Sequence, residues 1–201
     1  MKTKFEYRFP KWKDAPWNSY ERQRERYEII KPYIGNDSIG AEIGVYKGGF
    51  GEFLLPHCRK LFLVDPWYRA GGFWKSSIDN DSRVDTVVDI LQKYKHEIEA
   101  GRLEVVIEYS SNFLNSRPND EFDFLYIDSS HRYEDTKKEI DIALRKVKSS
   151  GIILGDDCDS RPESRQYGVY RAIQETAQSG LAELVFIESR QWGLRPIKAN
   201  P

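Results

Sequence analysis

Two apolar runs in this chain end in acidic residues. Phe124-Leu125-Tyr126-Ile127 leads into Asp128-Ser129-Ser130-His131, and Ile152-Ile153-Leu154 leads into Gly155-Asp156-Asp157. Runs this short and this apolar are expected as buried parallel strands, and the ligands of such a sheet gather beyond the carboxyl ends of its strands. Asp128, His131, Asp156 and Asp157 can therefore meet. Carboxylates collected at one point suit a divalent cation, and oxygen ligation points to Mg²⁺, with Mn²⁺ or Ca²⁺ as alternatives, rather than to zinc. A dication on a hydroxyl stabilises the developing alkoxide, and a base such as His131 can take its proton. The plainer alternatives are that Asp156 and Asp157 only open a polar loop and that His131 only starts a helix. Successive strand residues face opposite sides, so both aspartates reach one ion only if the chain leaves extended geometry there. Otherwise one of them acts from behind the other.

A second signal lies upstream. Ala41-Glu42-Ile43-Gly44-Val45-Tyr46-Lys47-Gly48-Gly49 runs from a strand through closely spaced glycines into a helix. Glycines at Gly44 and Gly48 let backbone approach a ligand where a Cβ would collide, so a nucleoside cofactor fits here, as does a plain tight turn. The spacing is not GxGxxG. Asp65, about twenty residues further on and just past the next strand, is placed to accept hydrogen bonds from both hydroxyls of a ribose. Arg132 and Tyr133 flank the same mouth, and Trp12, Trp17, Trp67, Tyr68, Phe73 and Trp74 could cover it as an aromatic wall or simply pack under loops. Gly71-Gly72 makes a lid plausible.

The elements that must position these residues alternate. Hydrophobic periodicity predicts a leading helix over 19–33, strands over 39–45, 61–64, 103–107, 122–128 and 151–154, and helices over 48–55, 84–98 and 133–148. On the helix over 84–98, Val84, Val87, Val88, Leu91 and Ile98 are expected along one face. A last helix carries Val169, Ile173 and Ala177, and the runs 182–187 and 191–197 close the chain as a hairpin. Strands alternating with helices predict βαβ units and a mostly parallel sheet, to which the hairpin adds an antiparallel strand.

Composition bounds the rest. At 201 residues, 39% hydrophobic and 31% charged, with a net charge of −1, one substantial core is expected and the basic footprint of a nucleic-acid binder is missing. Cys58 and Cys158 form no CxxC pattern, which argues against a disulfide framework or a cysteine metal site. No apolar run approaches a membrane span and the first residues carry no signal-peptide core, so a cytoplasmic location without membrane attachment is expected.

The order Glu42-Ile-Gly44, Asp65, Asp128, Asp156-Asp157 and the closing hairpin resembles the class I S-adenosylmethionine-dependent methyltransferases, over roughly residues 38 to 197. Tyr126-Ile-Asp128-Ser-Ser-His131 with Gly155-Asp156-Asp157 looks, more narrowly, like the metal-dependent small-molecule O-methyltransferases of the macrocin and mycinamicin sugar type. The resemblance implies an α/β, Rossmann-like, seven-stranded and mostly parallel sheet with helices on both faces and a C-terminal antiparallel hairpin strand. It implies residues 1–37 as an arm and leading helix that cover the substrate, and 38–201 as the cofactor-binding domain. Glu42 and Gly44 would line the methionine end of S-adenosylmethionine within the turn that holds Tyr46 and Gly48. Asp65 would hold the ribose, and Asp128 would border the cofactor. Asp128, Asp156 and Asp157 would bind Mg²⁺ or Mn²⁺. His131 matches the base of some members, whereas in others the metal-bound aspartate serves. Ser111, after the third strand, matches a position that contacts the adenosine, and a serine opening a helix is also an N-cap.

Two departures stand out: the long N-terminal domain of the larger sugar methyltransferases has no counterpart in these residues, and Phe50 stands where many relatives carry a small hydroxyl residue. The expected reaction is methyl transfer to a hydroxyl of a small molecule, a sugar or polyhydroxylated metabolite, without nucleic acid or membrane and with a homo-oligomer open. Its rivals are metal-independent methylation at nitrogen or a phenol, a catalytically silent S-adenosylmethionine-binding module, and, more weakly, a nicotinamide oxidoreductase.

Overall fold

Alternation along each strand decides which side of the sheet a residue serves, and the two sides of this sheet are covered by different helices. The computed structural model describes residues 19–67 and 80–198. The expected parts played by Trp12, Trp17, Tyr68, Gly71, Gly72, Phe73 and Trp74 lie outside them.

The chain begins with α1 (Tyr20–Ile30), capped by Ser19, whose hydroxyl accepts from the Arg22 amide, and ended by a 3₁₀ turn over Lys31–Tyr33 that contains Pro32. It continues through β1 (Ser38–Ile43), α2 (Gly51–Leu54), a 3₁₀ turn over Leu55–His57, β2 (Cys58–Val64), α3 (Asn80–Lys93), α4 (Lys95–Glu99) and β3 (Leu103–Val106). Then come α5 (Ser110–Ser116), β4 (Phe122–Ile127), α6 (Tyr133–Lys146), β5 (Val147–Gly155), α7 (Tyr167–Gln178), β6 (Ala182–Glu188) and β7 (Gln191–Pro196).

The seven strands lie in the order β3-β2-β1-β4-β5-β7-β6. The first five are parallel, and β7 runs antiparallel to both β5 and β6. From β1 the chain moves outward through β2 and β3, then returns to β4 on the other side. The order therefore reverses between β1 and β4, which is where an open α/β sheet forms its ligand crevice.

One core side gathers Ala41, Ile43, Phe62, Leu125, Ile127 and Ile153 under α5, α6 and α7, including Ile140, Val169 and Ile173. The other gathers Leu61, Leu63, Phe124, Tyr126, Ile152 and Leu154 under α1, α2 and α3, including Ile30, Leu54, Ile90 and Tyr94. Each fully buried aliphatic or aromatic side chain here contributes about 1.5–3 kcal/mol of transfer free energy.

Helix α3 departs from the expected face. Val84, Val88 and Leu91 are exposed, whereas Ile90 and Tyr94 are buried with Val87 packed against them. The valine and leucine stripe faces outward, and the adjoining face with Ile90, nearer the glycine turn at Gly48, is the one that docks. The expected helix over 84–98 is also divided, because Tyr94 leaves helical geometry between α3 and α4. The helix expected over 48–55 is one short α-helical turn, with Pro56 falling inside the 3₁₀ turn that follows. Strand β5 starts at Val147, four residues before Gly151.

Candidate active site

Parity along the central strands determines what meets at their carboxyl ends. Phe124 and Tyr126 of β4, and Ile152 and Leu154 of β5, all face the α1 side. Asp128 and Asp156 continue that alternation, so both carboxylates turn toward α1. Arg26 of α1 is waiting there.

Arg26 is 8% exposed, and its guanidinium reaches four groups. Its Nη2 donates to Asp128 Oδ2 at 2.5 Å and to the Tyr126 hydroxyl at 2.7 Å, and its Nε donates to that hydroxyl at 3.1 Å. Nε also lies 3.1 Å from Asp156 Oδ2, and the guanidinium carbon stands 4.8 Å above the Phe50 ring. From the other flank, Gln191 of β7 donates to Asp156 Oδ1 at 2.5 Å and accepts from Tyr126 Oη at 2.8 Å. Trp192 donates its indole N–H to the Asp156 carbonyl at 3.0 Å. Burial works against charge on Arg26, but Asp156, Tyr126 and Asp128 together raise its pKa well above the usual value. Burial pushes Asp156 upward, with the guanidinium pulling the other way.

Asp157 behaves differently. Its φ of +59° takes the chain out of extended geometry right after β5, so its carboxylate is released from the face opposite Asp156 that strict alternation would impose. His131 Nε2 lies 2.7 Å from Asp157 Oδ2, and Arg190, from the β6–β7 turn, stands 3.5 Å from its other oxygen. One ligand atom each from Asp128, His131 and Asp157 all lie within 4.8 Å of one another. Two carboxylates and an imidazole are a donor set that a divalent cation accepts, so the residues present fit such an ion. Of the four residues expected at the strand ends, the structure thus groups Asp128, His131 and Asp157, and turns Asp156 to Arg26 and Gln191.

The glycine turn lies beside this cluster across the β1–β4 boundary. Gly44 has a φ of +90°, and a Cβ on it would sit 2.1 Å from the Asp128 carbonyl, so only glycine lets β1 leave the sheet here. Gly48 is likewise in the left-handed region, at +68°, and its carbonyl accepts from the Tyr94 hydroxyl at 2.6 Å. Asp65 Oδ2 accepts from the backbone N–H of Val45 at 3.0 Å and of Tyr46 at 3.1 Å, and its Oδ1 accepts from Trp67 N–H at 2.7 Å. The Trp67 indole donates to the Tyr46 carbonyl at 2.9 Å. Asp65 thereby braces the turn itself. Glu42, on the strand next to Tyr126, is 2% exposed, and its Oε2 has no hydrogen-bond partner among the described residues. Burial holds its carboxyl well above the ordinary range. An orphaned, buried acceptor beside a positive-φ glycine is what a cofactor bearing an ammonium group would satisfy, so S-adenosylmethionine fits this side.

Ser111 is half-buried in the first turn of α5, and among the described residues no hydrogen bond ties it to the site. Its neighbour Ser110 instead donates to buried Glu139 of α6, whose other oxygen accepts from Ser129 at 2.6 Å. Sequence reasoning missed Arg26, Gln191 and this serine–glutamate bridge. For Arg26 a signal existed: Arg22, Arg26 and Ile30 recur every four residues, so the arginines share a helix face with a residue the core claims. Gln191 shows no such signal, because its partner strands are distant in sequence.

Comparison with known proteins agrees with this geometry. A family described as a methyltransferase domain matches residues 41–158. No curated protein matches the sequence. Among solved structures, a Corynebacterium glutamicum protein superposes with a TM-score of 0.64 at 12% identity, covering 92% of this chain and 85% of that one. The N-methyltransferase NodS of Bradyrhizobium japonicum, in complex with S-adenosylhomocysteine, gives 0.63 at 17% identity, covering 92% and 93%. A candidate O-methyltransferase of Klebsiella pneumoniae gives 0.59 at 12% identity, covering 90% and 81%. At these identities the likeness is one of fold, and the named acceptor atoms differ between neighbours. With its strand order, its glycine turn and the matched stretch, the chain belongs to the methyltransferase-domain family and is a class I S-adenosylmethionine-dependent methyltransferase.

Proposed function

We propose that this methyltransferase acts on a hydroxyl of a small molecule, a sugar or polyhydroxylated metabolite, with a divalent metal, Mg²⁺ or Mn²⁺, assisting. The observation that carries the reading is the convergence of Asp128, His131 and Asp157 beside the cofactor turn. Asp128 and Asp157 would hold the ion. When bound there, a dication lowers the pKa of a coordinated alcohol and stabilises its alkoxide. His131 takes the hydroxyl proton, and its hydrogen bond to Asp157 orients the ring for that transfer. On the cofactor side Glu42 meets the amino-acid end, Gly44, Tyr46 and Gly48 shape the turn, and Asp65 holds the turn and the ribose edge together.

Supplying methyl-labelled S-adenosylmethionine with a panel of monosaccharides, polyols, amino sugars and phenols, in Mg²⁺ and in excess chelator, tests the reading. Label on oxygen that disappears with chelator is expected. Undiminished transfer in chelator sinks the metal, and label on nitrogen sinks the hydroxyl. One observation favours the second reading, metal-independent methylation at nitrogen or an acidic phenol: Arg26 already supplies a cation between Asp128 and Asp156.

A further inference from the structure

Arg26 binds two of the three carboxylates that end the central strands, and it does so from a helix outside the matched stretch 41–158. Its Nη2 is on Asp128 Oδ2 and its Nε is on Asp156 Oδ2, so a single guanidinium spans the pair. Every other contact reinforces that placement. The Tyr126 hydroxyl accepts from both nitrogens and donates its own hydrogen bond to Gln191 Oε1, and Gln191 closes the loop by donating to the second oxygen of Asp156. Asp156 is left with an arginine on one oxygen and an amide on the other. Asp128 keeps only part of its carboxylate available to the side where His131 and Asp157 lie.

We infer that Arg26 is a built-in counter-cation that decides which carboxylates a metal ion can use: it withdraws Asp156 from the ligand set, claims one oxygen of Asp128, and leaves an ion to Asp128 and Asp157 beside His131. Arg26 is thus a specificity-determining and positioning residue supplied by α1. A guanidinium suits the task because its planar fork bonds two carboxylates at once and stays charged when buried, whereas an ammonium is a single point charge on a flexible stem. The consequence is a site that binds its ion less tightly than three bare carboxylates would, because one positive charge already sits among them. The inference rests on the proposed dication site, and the experiment separates the two.

The test uses Mn²⁺ alone, titrated into the full-length chain and followed by its electron paramagnetic resonance signal, in wild type, Arg26→Met and Arg26→Lys. Arg26→Met is expected to bind Mn²⁺ about tenfold more tightly than wild type or better, and Arg26→Lys to fall between them. A changed spectrum of the bound ion in Arg26→Met should report the added carboxylate. Thermal melts serve as the second measurement: with buried Asp156 and half-buried Asp128 both losing their cation, Arg26→Met should melt lower without metal, and Mn²⁺ should raise its midpoint more than that of wild type. If Arg26→Met does not fold, tighter binding by Arg26→Lys alone decides in favour. If wild type binds no Mn²⁺ but the variant does, Arg26 has the role inferred and the metal-assisted reading fails. If wild type binds Mn²⁺ and the variants bind it equally or more weakly, the inference is overturned and the metal reading stands. If none of the three binds, both fall.

Discussion

The imidazole Nε2 of His131 stands 2.7 Å from Oδ2 of Asp157, joining the start of α6 to the end of β5 at the mouth of the sheet. Burial opposes charge on both groups, yet their hydrogen bond and mutual attraction win: Asp157 is lowered from its ordinary 3.8, and His131 is raised from 6.5. A lowered acid contributes stability above its unfolded value and loses it as pH falls through the folded one. A raised base contributes below its unfolded value and loses it as pH rises through the folded one. The pair therefore stabilises the fold most between pH 3.8 and 6.5. His131→Gln should cost about 1–2 kcal/mol in that window, and less at higher pH, in urea denaturation. A cost that does not change with pH would refute the pairing.

Glu42 is buried with one carboxyl oxygen that has no hydrogen-bond partner among the described residues. Its buried carboxyl is raised well above 4.5, so its contribution is complete below that pH and declines as pH rises through the folded value. Glutamine does not titrate. Glu42→Gln should gain stability over wild type as pH increases from 4.5, while binding S-adenosylhomocysteine more weakly by calorimetry. Equal affinity would remove Glu42 from the cofactor side.

Asp128→Ala removes a ligand to the proposed ion and one partner of Arg26 together. Methyl transfer should fall by about 10²–10⁴, with S-adenosylhomocysteine binding largely spared. Full turnover by a variant that melts like wild type would exclude Asp128 from the reaction.

Gly44→Ala tests the close approach of β1 and β4. The new methyl would meet the Asp128 carbonyl at 2.1 Å in a backbone conformation that disfavours any Cβ. A loss of about 3 kcal/mol or failure to fold is expected in thermal denaturation. A near-neutral result would mean that the strand ends are looser than the structure shows.

Much of the site was legible because strand ends are written locally. An apolar run closed by Asp128, another closed by Asp156 and Asp157, and a glycine turn with Asp65 downstream all depend on a few neighbouring residues. That both aspartates could share one ion only if the chain left extended geometry was legible too, since side chains alternate along a strand; the chain does leave it at Asp157, which comes to Asp128 and His131, while Asp156 turns to Arg26 and Gln191. The exposed stripe of Val84, Val88 and Leu91 was not, because α3 carries apolar residues on two faces and only its neighbours select one.

Sequence alone determined the alternating elements, the sheet they build and the acids at its mouth, since each follows from side-chain periodicity and turn chemistry within short windows. Tertiary structure alone decided how those acids divide. Arg26 and Asp128 are 102 residues apart, Gln191 and Asp156 are 35 apart, and no local pattern couples them. The packing of α1 on one side of β4 and the pairing of β7 with β5 bring a cation and an amide onto Asp156. Burial then requires each polar group to find a partner, and the partner that the fold supplied to Asp156 was an arginine.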